Sequence, residues 1–288
     1  MTKLIITSMV ILLCGCSNQR IQYPETLKDN TVDNYFGTKV DDPYRWLEDD
    51  MSRQTGEWVT QQNKVTDSYL EGIPFRDKIL DRLTKLWNYS RINFINKKGG
   101  YYFYSFNTGL QNQDVVMYKK NLSDAGQVFI NPNSWSDEGT IALSTFSPSN
   151  NGKYVAYGKA IAGSDWNEFF IREIEGLKDL GDHLKWIKFS EIAWYKDGFF
   201  YSRFNEPKEG DALKGENLYN KVYYHKVGTP QSSDMLVYED PEHPGWSFSP
   251  KVSEDEKFLE ISVIESTTGN AIYVKDLSKK KIRICQSS

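Results

Sequence analysis

A mostly β fold of propeller type, preceded by a short helical segment, is predicted by three features of the 288-residue sequence. Aromatic side chains are abundant (18 Tyr, 15 Phe and 8 Trp) although mean hydropathy is only −0.60, which suits many half-buried strands. From about residue 92 apolar and polar residues alternate with a period of two. One unit also recurs: Gly100 heads Tyr101-Tyr102-Phe103-Tyr104, Gly152 heads Lys153-Tyr154-Val155-Ala156-Tyr157, Gly198 heads Phe199-Phe200-Tyr201, and Glu256 heads Lys257-Phe258-Leu259-Glu260-Ile261. Self-similarity at roughly fifty residues, with several short strands in each unit, points to propeller blades rather than a sandwich; about four blades fit by residue 288.

Residues 1–19 are a different material. Lys3 supplies a basic start, and Leu4 to Leu13 is an apolar run too short to span a bilayer. It closes on Leu13-Cys14-Gly15-Cys16, which resembles the lipobox of bacterial lipoproteins, with Cys16 as the lipidated residue. The plainer alternative is a signal peptide cut near Gly15. Ser17, by the sorting rule known for such proteins, implies a periplasm-facing outer-membrane anchor. Cys285 would then be the remaining thiol, so no internal disulfide is expected.

Residues 20–50 carry no helical period and read as an extended arm ending in Asp41-Asp42-Pro43-Tyr44-Arg45-Trp46-Leu47-Glu48-Asp49-Asp50. Pro43 fixes its own φ and drives Asp42 towards extended geometry, so no helix begins before it. Tyr44, Trp46 and Leu47 represent several kcal/mol of burial at roughly 25 cal/mol per Å², and they require a partner surface. The acids at 48–50, with Ser52 as N-cap, predict a helix from Ser52 to Leu70. Trp58, Val65 and Tyr69 mark its thin apolar stripe. Gly72, Ile73 and Pro74 break it. A second helix is predicted from Phe75 to Trp87, where Ile79, Leu80, Leu83, Leu86 and Trp87 recur at helical spacing and predict a face turned to the core.

A formal charge of −4 without a basic stripe argues against nucleic acid as a partner. Lys97-Lys98 and Lys279-Lys280-Lys281 read as solvated turns. No G-x-S-x-G elbow occurs; the nearest string, Gly245-Trp246-Ser247-Phe248-Ser249, lacks the closing glycine and falls in a predicted strand. His183, His225 and His243 stand at no helix or strand period that brings a serine or aspartate beside them. His225, after Val222-Tyr223-Tyr224, reads as a satisfied structural histidine. Paired His or Cys at metal spacing and glycine-rich phosphate loops are lacking, so no cofactor is expected.

Two loops stand out as candidate ligand surfaces. Ala162-Gly163-Ser164-Asp165-Trp166 puts an acid and a large aromatic on a tight turn; the alternative is a plain blade-edge turn. Residues 206–217 form a long, charged, strand-free insertion, the kind that covers a site or stays disordered.

Several strings resemble the amino-terminal part of the prolyl oligopeptidase (prolyl endopeptidase) family of serine peptidases. They are Tyr23-Pro24, Tyr35-Phe36-Gly37, Asp42 through Asp49, and Asn107-Thr108-Gly109-Leu110-Gln111-Asn112-Gln113. Further on come Gly163-Ser164-Asp165-Trp166, Lys188-Phe189-Ser190, Ala193-Trp194, and Asn217-Leu218-Tyr219 through Tyr223-Tyr224-His225. The Asp42–Asp49 string is shared with sister branches such as oligopeptidase B, whereas the strings at 107–113, 163–166 and 217–233 resemble the prolyl branch more particularly. The resemblance runs in order from about residue 22 to about 275.

What the resemblance implies is a two-domain enzyme. An α/β-hydrolase domain, split in sequence, flanks a seven-bladed propeller that covers the active site and admits short peptides, cut after proline. The family's triad lies in its carboxy-terminal piece, so these residues would hold an amino-terminal hydrolase segment and about four of seven blades. Phe189 matches a family aromatic lining the pocket for the third residue before the cut. Ser247 stands where that pocket usually has a methionine, and Glu191 where a less polar residue is usual. The 206–217 loop matches one thought to help gate entry.

The expected organisation is therefore a leader at 1–19, a hydrolase-domain segment at 20–91 and an incomplete propeller at 92–288. Candidate peptide-binding residues are Asp165, Trp166, Phe189 and Ser247, the expected ligands being short proline-containing peptides, with a membrane anchor at Cys16. No catalytic residue is assigned, and the chain is expected to be inactive alone. The alternative is a non-enzymatic propeller lipoprotein that binds peptides or partner proteins.

Overall fold

A computed structural model describes residues 21–208, 210–213, 215–265 and 270–279; the expectations for Cys16, the leader and Cys285 lie outside these residues. The chain forms two compact units that divide between Leu86 and Trp87. Among the described residues no helix is long and apolar enough to cross a membrane.

In the first unit, the stretch read as an extended arm is instead a hairpin followed by a helical turn. Strands β1 (Val32–Tyr35) and β2 (Thr38–Asp41) pair antiparallel. Phe36 and Gly37 turn between them with φ of 53° and 92°, a conformation that Gly37 accepts freely and Phe36 adopts under strain. Pro43 then gives way to a 3-10 turn, Arg45–Glu48. Arg45 ties this turn to the hairpin by pairing with both Asp33 and Asp42. The Trp46 indole donates to the Leu27 carbonyl (2.9 Å), and the Trp58 indole donates to Thr26 Oγ1 (3.0 Å). The aromatic stretch thus finds part of its partner surface in its own arm. Trp46 and Leu47 are half-buried, while Tyr44 remains exposed.

Helix α1 (Arg53–Glu71) starts where the acids and Ser52 predicted, with Ser52 Oγ accepting from the Thr55 amide (3.1 Å). Helix α2 (Arg76–Trp87) also forms as expected, but its apolar face is not turned to a core. Ile79 is 49% exposed and Leu83 55% exposed, and Leu80, Leu86 and Trp87 are exposed with them. Periodicity correctly located the face and could not supply what covers it.

Among its described residues the second unit forms four successive antiparallel sheets. The first is β3 (Arg91–Lys98), β4 (Tyr101–Asn107), β5 (Val115–Lys119) and β6 (Gln127–Ile130). The second is β7 (Ile141–Pro148), β8 (Tyr154–Ile161), β9 (Asn167–Glu173) and β10 (Asp179–Ile187). The third is β11 (Ala193–Tyr195), β12 (Gly198–Arg203), β13 (Lys221–Lys226) and β14 (Met235–Tyr238). The fourth has three strands among the described residues: β15 (Ser247–Val252), β16 (Phe258–Ile264) and β17 (Asn270–Asp276). Each sheet is a meander in sequence order, as blades are. The four copies of the recurring sequence unit fall on β4, β8, β12 and β16, the second strand of every sheet.

Each hydrophobic core lies at a seam between neighbouring sheets. Phe103 and Phe129 of the first sheet pack with Val155 and Tyr157 of the second. Phe169, Ile171 and Leu184 of the second pack with Trp194, Phe199 and Tyr201 of the third. Phe200 and Val222 of the third pack with Phe248, Leu259 and Ile261 of the fourth. At one rim the turns approach closely: a Cβ on Gly152 would lie 2.0 Å from the Gly99 carbonyl oxygen, so neither turn has room for a side chain there. This is a propeller portion, mostly β, with blade faces packed on one another and the ring not closed among the described residues.

Candidate substrate-binding surface

Of the candidate residues, Trp166 with its neighbour Asp165 stands where the second and third sheets meet, whereas Phe189 and Ser247 lie on other segments. Ala162 and Gly163, with φ of 51° and 73°, turn the chain between β8 and β9, and the Trp166 amide donates to Ser164 Oγ (3.1 Å) to close that turn. Trp166 is thereby directed across the seam. Its ring meets Trp186 and Phe204 edge to face, at centroid distances of 5.7 and 6.1 Å, and the Lys188 ammonium lies 4.1 Å from its centroid. Its indole N–H donates to the Ala212 carbonyl at 2.6 Å. The two loops that the sequence singled out separately are therefore joined. Between them is a cavity of about 240 Å³ walled by Trp166, Phe204 and residues of the 206–219 segment. Asp165 is exposed at its edge of the turn.

Phe189 follows Lys188 in the connection from β10 to β11. Its φ of 51° and 77% exposure are an unusual combination for a large aromatic. Ser190 steadies the turn, its Oγ accepting from the Ser202 amide (2.8 Å). Ser247 lies in another blade, half-buried at the start of β15 and paired with Ile264 of β16. Glu191 lines a second cavity, of about 680 Å³, with Ser147, Trp194, Ser249 and Lys251 from the first strands of three sheets.

The histidines are engaged elsewhere. His183 Nε2 is 2.7 Å from Glu168, and its ring stacks on Phe170 at 4.7 Å. His243 pairs with Asp240 (3.0 Å) and stacks on Trp246 at 3.7 Å. His225 is fully buried between Asp182 and Asp234, the satisfied structural residue that its strand context predicted. Among the described residues no group of His, Cys, Asp and Glu could hold a metal ion. Sequence reasoning missed Trp186, Lys188 and Phe204 as neighbours of Trp166; their proximity depends on the pairing of β9 with β10 and on the packing of two sheets.

The family profile described as "Prolyl oligopeptidase, N-terminal beta-propeller domain" matches residues 24–286. The chain belongs to the prolyl oligopeptidase family. It is 44% identical over 261 residues to a prolyl endopeptidase of Elizabethkingia meningoseptica, covering 90% of this chain and 37% of the relative. It is 34% identical over 297 residues to prolyl oligopeptidase A of Amanita bisporigera, covering 90% and 38%. Among solved structures, prolyl oligopeptidase B of Galerina marginata bound to a 25mer macrocyclization substrate aligns with a TM-score of 0.78 at 29% identity, over 93% of this chain and 41% of that one. The chain thus spans well under half the length of these relatives and corresponds to their amino-terminal portion.

Proposed function

We propose that the chain is the amino-terminal part of a serine endopeptidase that cleaves short peptides after proline, contributing the cover and entry surface rather than the chemistry. The observation that carries this reading is the match of residues 24–286 to a propeller domain of such peptidases, joined to the exposed apolar face of α2, which a larger hydrolase domain would bury. Phe189 offers its ring to the third residue before the cut. Trp166 and Asp165 contact the peptide near the gating loop, and Ser247 makes its part of the pocket wall shorter and more polar than a methionine would. In this reading the nucleophile, general base and oxyanion hole belong to the family's carboxy-terminal hydrolase piece, and the 288-residue chain alone is inactive.

The leader is proposed to end in lipidation at Cys16, placing the protein on the periplasmic side of the outer membrane. Radiolabelled palmitate incorporated by the natural sequence and lost in Cys16→Ala checks this.

For activity, the purified 288-residue protein is incubated with benzyloxycarbonyl-Gly-Pro p-nitroanilide. The expected result is neither burst nor turnover. Turnover abolished by a serine-directed phosphonate would overturn the assignment of the chemistry to missing residues.

A further inference from the structure

Deeper in the same seam lie three ionisable side chains closed off from solvent. His225 of β13, Asp182 of β10 and Asp234 just before β14 have side-chain exposures of 0%, 0% and 1%. His225 Nδ1 is 2.7 Å from Asp234 Oδ1, and Nε2 is 2.9 Å from Asp182 Oδ1. A neutral imidazole has one N–H, so one nitrogen would turn its lone pair on a carboxylate. With both aspartates ionised, two contacts at hydrogen-bonding distance use both N–H groups, and that means imidazolium.

The remaining partners are donors, as ionised carboxylates need, although Asp182 Oδ2 is buried without one. The Gly228 amide donates to Asp182 Oδ1 (2.6 Å), and the Tyr201 hydroxyl of β12 donates to Asp234 Oδ2 (2.7 Å). Gln231 donates from Nε2 to the Tyr201 oxygen and to the Lys185 carbonyl of β10, while its Oε1 accepts from the Lys185 amide. The Phe199 ring lies 5.4 Å from the imidazole. The ionisable groups facing His225 are thus Asp182 from β10 and Asp234 from the 228–234 segment; Tyr201 of β12 reaches the cluster through Asp234, with Arg203 acting on Tyr201 from further out.

We propose that Asp182, His225 and Asp234 form a proton-dependent clasp, in which the imidazolium fastens the second sheet to the third and loss of its proton releases the seam. Without that proton two carboxylates face each other in a buried site with no cation between them, an arrangement that costs far more than an exposed pair. Burial alone pulls the imidazole down, but the hydrogen bonds and charges of both aspartates outweigh it and push it up to about 9. The release is therefore an alkaline event. β10 runs on into the turn that carries Phe189, so the clasp also fixes the strand presenting that ring.

The test is ¹⁵N-histidine NMR of the full 288-residue chain across pH 6 to 10, with His183→Gln and His243→Gln to assign the three rings. One ring is expected to keep both N–H groups at neutral pH and to titrate more than about one pH unit above the other two. As it titrates, amide exchange at 182–187 and 225–231, corrected for intrinsic rate, should accelerate. His225→Gln risks unfolding by stranding both aspartates, so Asp234→Asn is the informative variant: it keeps the Asp182 contact and should lower the transition. Three rings titrating together in the ordinary range, or exchange indifferent to the high transition, would overturn the clasp.

Discussion

The indole N–H of Trp166 reaches the Ala212 carbonyl, 46 residues along the chain, at 2.6 Å. This bond joins the tight turn between β8 and β9 to the charged segment between β12 and β13. Trp166→Phe keeps most of the ring and deletes only the donor. A net hydrogen bond contributes about 1 kcal/mol, so tryptic cleavage after Lys208 is expected to be about fivefold faster in the variant. Unchanged cleavage would show that the segment is held by other contacts.

The glycine pair at the rim gives a steeper prediction. Gly152 has φ of 67°, and a Cβ there would strike the Gly99 carbonyl. Gly152→Ala therefore combines left-handed strain with a backbone clash, and should destabilise by about 2 kcal/mol or more. Urea denaturation measures it; a loss below half that would mean the two turns separate readily.

Burial separates two leucines of equal size. Leu184 is fully buried in the seam between the second and third sheets, whereas Leu83 is exposed on α2. Leu184→Ala is expected to cost about 2–5 kcal/mol. Leu83→Ala should stay within about 0.5 kcal/mol in this chain. The same Leu83 change in a longer chain that covers α2 would cost considerably more, and comparing the two constitutes a direct assay of what the helix face is for.

The ionised seam sets a pH window. The folded His225 lies near 9 against an ordinary 6.5, so its contribution is full below 6.5 and is lost as pH rises through about 9. Asp182 is raised by burial but lowered more by His225 and Gly228, ending below its ordinary 3.8. Its contribution is therefore present above 3.8 and lost only as pH falls through that depressed value. Thermal melts should show this seam most stable between 3.8 and 6.5, declining towards 9. In Asp234→Asn the alkaline decline should begin earlier.

Most of the blade architecture was legible because turn residues and strand alternation are local. The recurring units at 100, 152, 198 and 256 marked the same strand of each sheet. The 32–41 hairpin was missed because the first of its two positive-φ turn positions holds Phe36 rather than Asn, Asp or Gly, so with Gly37 it does not form the usual Asn-Gly type signature. The strings at 163–166 and 188–190 were found as separate features. Nothing local in them announces that Lys188 sits over the Trp166 ring. Asp182 and Asp234 lie 43 and 9 residues from His225, and no period links them.

The placement of the cores has a thermodynamic consequence. Among the described residues three apolar clusters serve four sheets, and each cluster belongs to two of them. No single blade owns a complete core, so no blade is an independent folding unit. Cooperativity passes from one joint to the next, as in arrays stabilised by nearest-neighbour interfaces. Among the described residues the second and third sheets each share two clusters and the first and fourth share one, so in the 288-residue protein amide exchange should begin in the first and fourth sheets. The joint between the second and third sheets, which also holds the ionised histidine and the Trp166 cluster, would be the last to part.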